Sequence, residues 1–79
     1  MPRRTELSAL LSGLGNVTGR DLMRAAEDRG WALDRVRGSH HIYRKQGWPV
    51  TLSIPLEAKS DGVKRGIIGS LMEEERSNG

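Results

Sequence analysis

The chain has 79 residues, of which 35% are hydrophobic, and this allows one domain with a small core. It has no cysteine, which excludes disulfides and thiolate metal sites and suits a cytoplasmic protein, and its apolar runs are too short to span a membrane. The net charge is +3, with basic residues concentrated between positions 20 and 45 and three glutamates at 73–75. This distribution indicates a surface that faces a polyanion.

The first segment, residues 1–16, is predicted to be a partly ordered extension that docks on the domain or on a partner. Its leucines have helical spacing, but Gly13 and Gly15 limit any helix to about two turns. A clearer helix is predicted from Thr18 to Arg29. Thr18 is a favourable N-cap, Asp21 completes a capping box, and Gly30 follows in the position that favours glycine.

Three short strands are predicted next, at residues 31–37, 40–45 and 49–54, joined by turns at Gly38-Ser39 and Gln46-Gly47. Val50, Leu52 and Ile54 should share one face of the third strand. A final helix follows a loop at 55–62. Its apolar stripe is predicted to consist of Val63, Ile67, Ile68 and Leu71. The order indicates an α+β fold, an α-β-β-β-α sandwich in which two helices cover one face of a three-stranded antiparallel sheet.

The residues from Gly38 to Arg44 hold both histidines and the single tyrosine of the chain, with basic residues on either side. A neutral histidine accepts a proton near physiological pH, and its charged form can return one. Metal-independent RNA cleavage needs a general base for the 2′-hydroxyl, a general acid for the leaving oxygen and cations for the phosphate. This segment therefore predicts a site for RNA cleavage.

Side chains of the second strand alternate between the two faces of the sheet, and this bears on which histidine reacts. If Ile42 faces the helices, His41 and Tyr43 point to the open face of the sheet. We therefore predict that His41 is catalytic, and we keep His40 as the alternative because a twist or bulge after the turn could turn it into solvent. The predicted RNA contacts are Arg20, Arg24, Arg37, Ser39, Tyr43, Arg44 and Lys45.

Other kinds of site find little support in the sequence. Adjacent strand histidines point to opposite faces and do not easily bind one metal ion, and no HExxH motif is present. The glycines match neither phosphate-binding fingerprint. No metal ion or cofactor is predicted.

Four stretches occur in an order that resembles the HicA (YcfA-like) mRNA interferase toxins: Thr-Gly-Arg-Asp-Leu (18–22), Gly-Trp (30–31), Gly-Ser-His-His-Ile-Tyr-Arg (38–44) and Val-Thr-Leu-Ser-Ile-Pro (50–55). The resemblance covers about residues 16–72 and places a toxin domain at 17–76. It implies a double-stranded-RNA-binding-like fold and ribosome-independent cleavage of mRNA by His41 or His40. It also implies neutralisation by a HicB-type antitoxin.

Two other functions remain open at this point. A non-catalytic RNA-binding module of the same fold would use Arg20, Arg24, Arg37 and Lys45 for phosphate contacts, and its histidines would be dispensable. A protein-interaction module would bind RNA only incidentally. A steep loss of RNA binding with rising salt would indicate phosphate-driven binding and so separate the RNA-binding module from the protein-interaction module.

Overall fold

The computed structural model describes residues 5–78, so residues 1–4 of the predicted extension lie outside the described part. The secondary structure follows the order α1 (Leu7–Ser12), a 3-10 turn (Leu14–Asn16), α2 (Gly19–Asp28), β1 (Ala32–Arg37), β2 (His40–Arg44), β3 (Leu52–Pro55) and α3 (Asp61–Asn78). The three strands form one antiparallel sheet in the order β1-β2-β3. The predicted α+β architecture is confirmed.

Helix α2 begins and ends where local sequence signals predict. The Thr18 hydroxyl accepts a hydrogen bond from the Asp21 N–H at 3.2 Å, and the Asp21 carboxylate accepts one from the Thr18 N–H at 2.9 Å. This reciprocal capping box satisfies donors that the first turn of a helix leaves free. Gly30 follows the helix with φ +89°, a conformation that strongly favours glycine.

The hairpin between β1 and β2 turns through Gly38 and Ser39, and Gly38 has φ +61°. A positive φ at the first central residue is what a type II′ hairpin turn requires. The register between the two strands shifts between Leu33 and Arg35, so Asp34 is an extra residue in a β-bulge.

The register of β2 against β3 corrects the predicted facing of the second strand. His41 lies opposite Ile54, and Tyr43 lies opposite Leu52. Directly opposed residues share a face of the sheet, and Leu52 and Ile54 are buried in the core with the helices. His41 and Tyr43 therefore face the helices, and the prediction that they face outward is wrong.

The opposite set of β2 side chains, His40, Ile42 and Arg44, lies on the open face of the sheet. Ile42 is nevertheless buried, and so is the adjacent Tyr43. The sequence alone therefore could not show which of these two residues faces outward. Strand β3 also begins later than predicted. Val50 lies outside it and is 59% exposed.

The core lies between the sheet and the helices α2 and α3, both of which contact β3. It is formed by Leu7, Leu14, Val17, Leu22, Met23, Ala25, Ala26, Trp31, Tyr43, Leu52, Ile54, Ile67, Ile68 and Leu71. The predicted stripe on α3 needs one correction, because Val63 is exposed and the neighbouring Lys64 is buried. The Lys64 ammonium turns inward because it donates a hydrogen bond to the Leu14 carbonyl at 2.9 Å.

The N-terminal segment packs on α3 through α1 and is also attached to the end of α2. The buried Arg29 guanidinium donates to the Thr5 carbonyl at 2.6 Å and pairs with Glu75 of α3 at 3.2 Å. Thr5 in turn donates to Asp28 from its backbone N–H and from its hydroxyl. These hydrogen bonds hold the pKa of Asp28 below its ordinary value, and the bond from the Thr5 backbone N–H has the larger effect. Within residues 5–78, no helix is long and apolar enough to cross a membrane.

Candidate active site

The two histidines begin β2 and occupy different environments. His40 is exposed on the open face of the sheet, directly opposite Arg37 of β1, which is also exposed. Arg44 lies on the same face at the far end of the strand. The open face therefore carries an exposed histidine with an arginine directly across the hairpin.

His41 is half-buried on the helix-facing side of the sheet, between Val36 of β1 and Ile54 of β3. Its Nδ1 atom is buried and has no hydrogen-bond partner among residues 5–78. Nδ1 is therefore closed to a substrate, which leaves Nε2 as the ring nitrogen that a substrate could meet. An imidazole with one nitrogen available suits proton transfer.

Helix α2 packs on this face of the sheet, where it contacts β3, and two contacts give its direction relative to β2. The Tyr43 hydroxyl donates to the Glu27 carboxylate at 2.8 Å, which places the C-terminal half of α2 over the later part of β2. A Cβ atom on Gly19 would come against the carbonyl oxygens of Pro55 and Leu56, beside the start of β2. Helix α2 therefore runs in the same direction as β2.

This direction brings two arginines of α2 to the level of His41. From Glu27 toward the N-terminus of α2, Arg24 is about 4.5 Å and Arg20 about 10.5 Å along the helix axis, whereas His41 is about 6.7 Å from Tyr43 along the strand. Both arginines are exposed, and no carboxylate within residues 5–78 forms an ion pair with either. We call the space between this stripe of α2 (Arg20, Arg24, Glu27) and His41 the α2–β2 groove.

A hollow of about 230 Å³ lies along this stripe of α2 and is lined by Arg20, Met23, Arg24 and Glu27. Two guanidinium groups at this level can hold a phosphate by charge-assisted hydrogen bonds. Glu27 was missed in the sequence, although its position seven residues after Arg20 places it on the same helical stripe.

Two of the predicted RNA contacts have other partners in the fold. Tyr43 is only 2% exposed, so its ring cannot stack on a base in this structure. Burial, together with the hydrogen bond and the charge of Glu27, raises the pKa of Tyr43 to about 12. Lys45 pairs with the buried Glu74 carboxylate of α3 at 2.9 Å. Tyr43 thus connects β2 to α2, and Lys45, directly after β2, connects the end of the strand to α3.

Ser39 has a backbone contact that positions the next loop. It lies in the exposed hairpin turn, and its carbonyl accepts a hydrogen bond from the Leu56 N–H at 2.8 Å. This bond holds the end of β3 beside the start of β2, where both histidines lie.

The sequence-predicted site residues thus fall into three groups. His41, Arg20 and Arg24 lie on the helix side of the sheet, and His40, Arg37 and Arg44 lie on the open face or its edge. Tyr43, Lys45 and the Ser39 carbonyl hold the fold together.

Comparison with known families supplies an independent finding. The family model described as the HicA toxin of bacterial toxin-antitoxin matches residues 19–74, which is more than half of the chain. The match contains α2, the sheet and most of α3, with both histidines, and it does not include α1. A search of curated proteins finds no match.

Proposed function

Because the chain belongs to the HicA toxin family of bacterial toxin-antitoxin systems, we propose that it is an endoribonuclease that cleaves mRNA without the ribosome. In this proposal the enzyme acts in the cytoplasm, and a HicB-type antitoxin neutralises it by covering the α2–β2 groove. The observation that carries the proposal is that His41 is half-buried on the side of the sheet that the helices cover, and that the exposed Arg20 and Arg24 of α2 have no ion-pair partner within residues 5–78.

The proposed reaction starts at the ribose of the substrate. His41 Nε2 takes the proton from the 2′-hydroxyl, and the 2′-oxygen attacks the adjacent phosphorus. A P–O bond forms to the 2′-oxygen, and the bond from phosphorus to the 5′-oxygen of the next nucleotide breaks. That oxygen leaves with a proton, which the imidazolium can return, so the products are a 2′,3′-cyclic phosphate and a 5′-hydroxyl.

The proposed role of Arg20 and Arg24 is to bind the phosphate and the negative charge that grows on it during attack. Guanidinium groups remain charged at any pH at which the protein is folded, and they bind phosphate oxygens in a bidentate manner. Such contacts stabilise the charge that develops on the phosphate in the transition state.

The first test is cleavage of an unstructured RNA by the purified protein in the presence of EDTA. We expect cleavage to persist and His41→Ala to lower its rate by about 100-fold or more, because a general base is lost. The RNA fragments should carry 2′,3′-cyclic phosphate ends, and an RNA with a 2′-O-methyl group at the cleavage site should remain intact.

Matched variants on the two faces of the sheet test the location of the site. Arg24→Gln should lower the cleavage rate by about 10-fold or more through loss of a phosphate contact, whereas Arg44→Gln on the open face should have a small effect. His40→Ala is the corresponding control for His41→Ala. If His40→Ala and Arg44→Gln are the inactive pair, catalysis takes place on the open face and the groove assignment is wrong.

The alternative function is a non-catalytic RNA-binding module, which is favoured by the basic residues on both sides of the sheet. A protein that binds RNA with steep salt dependence and leaves it intact would establish this alternative. In that case the arginine variants would weaken binding and neither histidine variant would change it.

A further inference from the structure

A second concave site lies next to the α2–β2 groove, at the N-terminal end of α2. It has a volume of about 440 Å³ and is formed by residues 15–19 on one side, residues 56–59 on the other, and the buried Lys64. We call it the Lys64 cavity. None of the residues proposed for RNA contact or catalysis lines it.

Lys64 is unusual because it is a buried cation that has no anionic partner in the described part of the chain. The residue is 4% exposed, and its ammonium donates one hydrogen bond, to the neutral Leu14 carbonyl. No carboxylate within residues 5–78 lies within ion-pair distance of it. Buried charges are ordinarily paired, because removing a charge from water is unfavourable unless another group compensates for the lost hydration. A buried ammonium with only a carbonyl partner, on a residue that lines a cavity, indicates a site for an anion.

The remaining walls of the cavity fit this interpretation. The N-terminus of α2, at Thr18 and Gly19, contributes the positive end of the helix dipole. Lys59 adds a second ammonium, and the one carboxylate of the cavity, that of Glu57, is exposed and lies 3.6 Å from Lys59. The charged side chains that line the cavity are thus two lysines and one glutamate.

The cavity is joined to the histidine strand by a single hydrogen bond. Leu56 lines the cavity, and its N–H donates to the carbonyl of Ser39, the residue immediately before His40. The Lys64 cavity and the start of β2, where both histidines lie, are therefore neighbouring parts of the fold.

We propose that the Lys64 cavity binds a phosphodiester group of the RNA substrate that neighbours the scissile one. The inference rests on the proposed RNA-cleaving function and adds a binding subsite to it. Lys64 supplies the charge, and the first turn of α2 supplies backbone N–H donors. Val17 and Leu56 provide an apolar wall for the attached ribose.

The test uses a rim position at which a charge can be added without disturbing the fold. Gly15 is exposed and does not have a positive φ, and the position that a Cβ atom would take there has open space for 4 Å around it. It follows Leu14, whose carbonyl accepts from Lys64, so Gly15→Asp adds a carboxylate to the same side of the cavity. Gly15→Asn is the neutral control of the same size. Gly69→Asp, on α3 at another site with free space, controls for net charge.

Binding is measured with a single-stranded RNA 2′-O-methylated throughout, so that cleavage cannot interfere. We expect Gly15→Asp to weaken binding by about fivefold or more at low salt, and by clearly more than Gly15→Asn, whereas Gly69→Asp stays within about twofold of the wild type. Lys64→Gln keeps a donor for the Leu14 carbonyl and removes the charge. It should lower the slope of log K against log salt by about 0.7, the value for one lost phosphate contact on a single strand.

NMR titrations of the Gly15 and Gly19 amide signals distinguish the sources of the anion. If the RNA shifts these amide signals in the wild type and the Gly15→Asp substitution abolishes the effect, the proposal is supported. Shifts with inorganic phosphate alone overturn it in favour of a free-anion site. Equal RNA binding by all variants while the wild type still cleaves RNA overturns the subsite and leaves the proposed function standing. RNA binding that depends on Lys64 without any cleavage refutes the catalytic function and retains the site.

Discussion

At the scale of single residues, Tyr43 shows how one polar atom determines the orientation of a strand. Its ring belongs to the core, and its hydroxyl reaches the Glu27 carboxylate of α2. A buried tyrosine needs such a partner for its hydroxyl. With Tyr43 directed inward, His41 must face the same side of the sheet, the side that the helices cover.

Tyr43 is the only tyrosine of the chain, so its titration can be followed by absorbance without interference from another residue. We expect a midpoint near pH 12, because burial and the neighbouring Glu27 raise the pKa. In Glu27→Gln the midpoint should fall toward 10, although burial will keep it above that value. A midpoint near 10 in the folded wild type would contradict the buried position.

The same shift predicts a pH dependence of stability. The folded-state pKa of Tyr43 lies above the ordinary value of 10.0, so folding favours the protonated hydroxyl. The resulting stabilisation is complete below pH 10 and is lost as the pH rises toward 12. Denaturant unfolding between pH 9 and 12 should therefore show a steeper decline for the wild type than for Tyr43→Phe. Parallel declines would mean that another group is responsible.

At the scale of secondary-structure elements, signals between neighbouring residues were sufficient to predict helix ends and turns. Features that depend on residues far apart in the sequence could not be predicted from such signals. The capping box of α2, the glycine after it and the Gly38-Ser39 turn involve neighbouring residues, and the structure confirms all three. The facing of β2 could not be predicted in this way. Ile42 and Tyr43 are adjacent and both buried, and the choice between them depends on Glu27, sixteen residues earlier.

The pairing of Lys45 with Glu74 is another non-local contact, and it also changes the expected distribution of charge. Two of the three glutamates on α3 pair with Arg29 and Lys45. The acidic end of the helix therefore stabilises the fold and neutralises part of the basic stretch. Among the predicted RNA contacts, the cations without an ion pair to another residue of 5–78 are arginines of α2, β1 and β2.

Removal of the Lys45 ammonium should destabilise the protein. Lys45→Met takes an ion-pair partner from the buried Glu74 carboxylate and should lower the free energy of unfolding by about 2 kcal/mol. Lys59→Met is the matched control, because its pair with Glu57 is exposed, and it should cost less than about 0.5 kcal/mol. Urea unfolding measures both values. Equal effects would show that the buried pair has no special role in stability.

At the scale of the whole molecule, the N-terminal segment completes the core that the family-matched region begins. The match covers residues 19–74, but Leu7, Leu14 and Val17 are buried in the same cluster as the helices and the sheet. The segment is held from three directions, by α1 on α3, by Arg29 on the Thr5 carbonyl and by Lys64 on the Leu14 carbonyl. Its sequence predicted a short helix but not these attachments, which join residues 24 and 50 positions apart.

Two leucines on α1 test the contribution of this segment. Leu7 is 4% exposed and Leu11, one turn later, is 39% exposed. Leu7→Ala should lower the free energy of unfolding by about 3 kcal/mol through the loss of buried surface and the cavity it leaves. Leu11→Ala should change it by less than about 0.5 kcal/mol. Similar small effects for both variants would show that α1 is not part of the cooperative unit.

The bulge in β1 has a consequence for the behaviour of the protein in concentrated solution. Strand β1 forms one edge of the sheet, and all six of its residues are exposed, including Leu33 and Val36. Such an edge can recruit a strand from another molecule and begin aggregation. The extra residue at Asp34 breaks the repeat that an incoming strand would have to follow, and Arg35 and Arg37 add charge beside it. An added strand could therefore match β1 only over a few residues, which disfavours growth of the sheet from molecule to molecule.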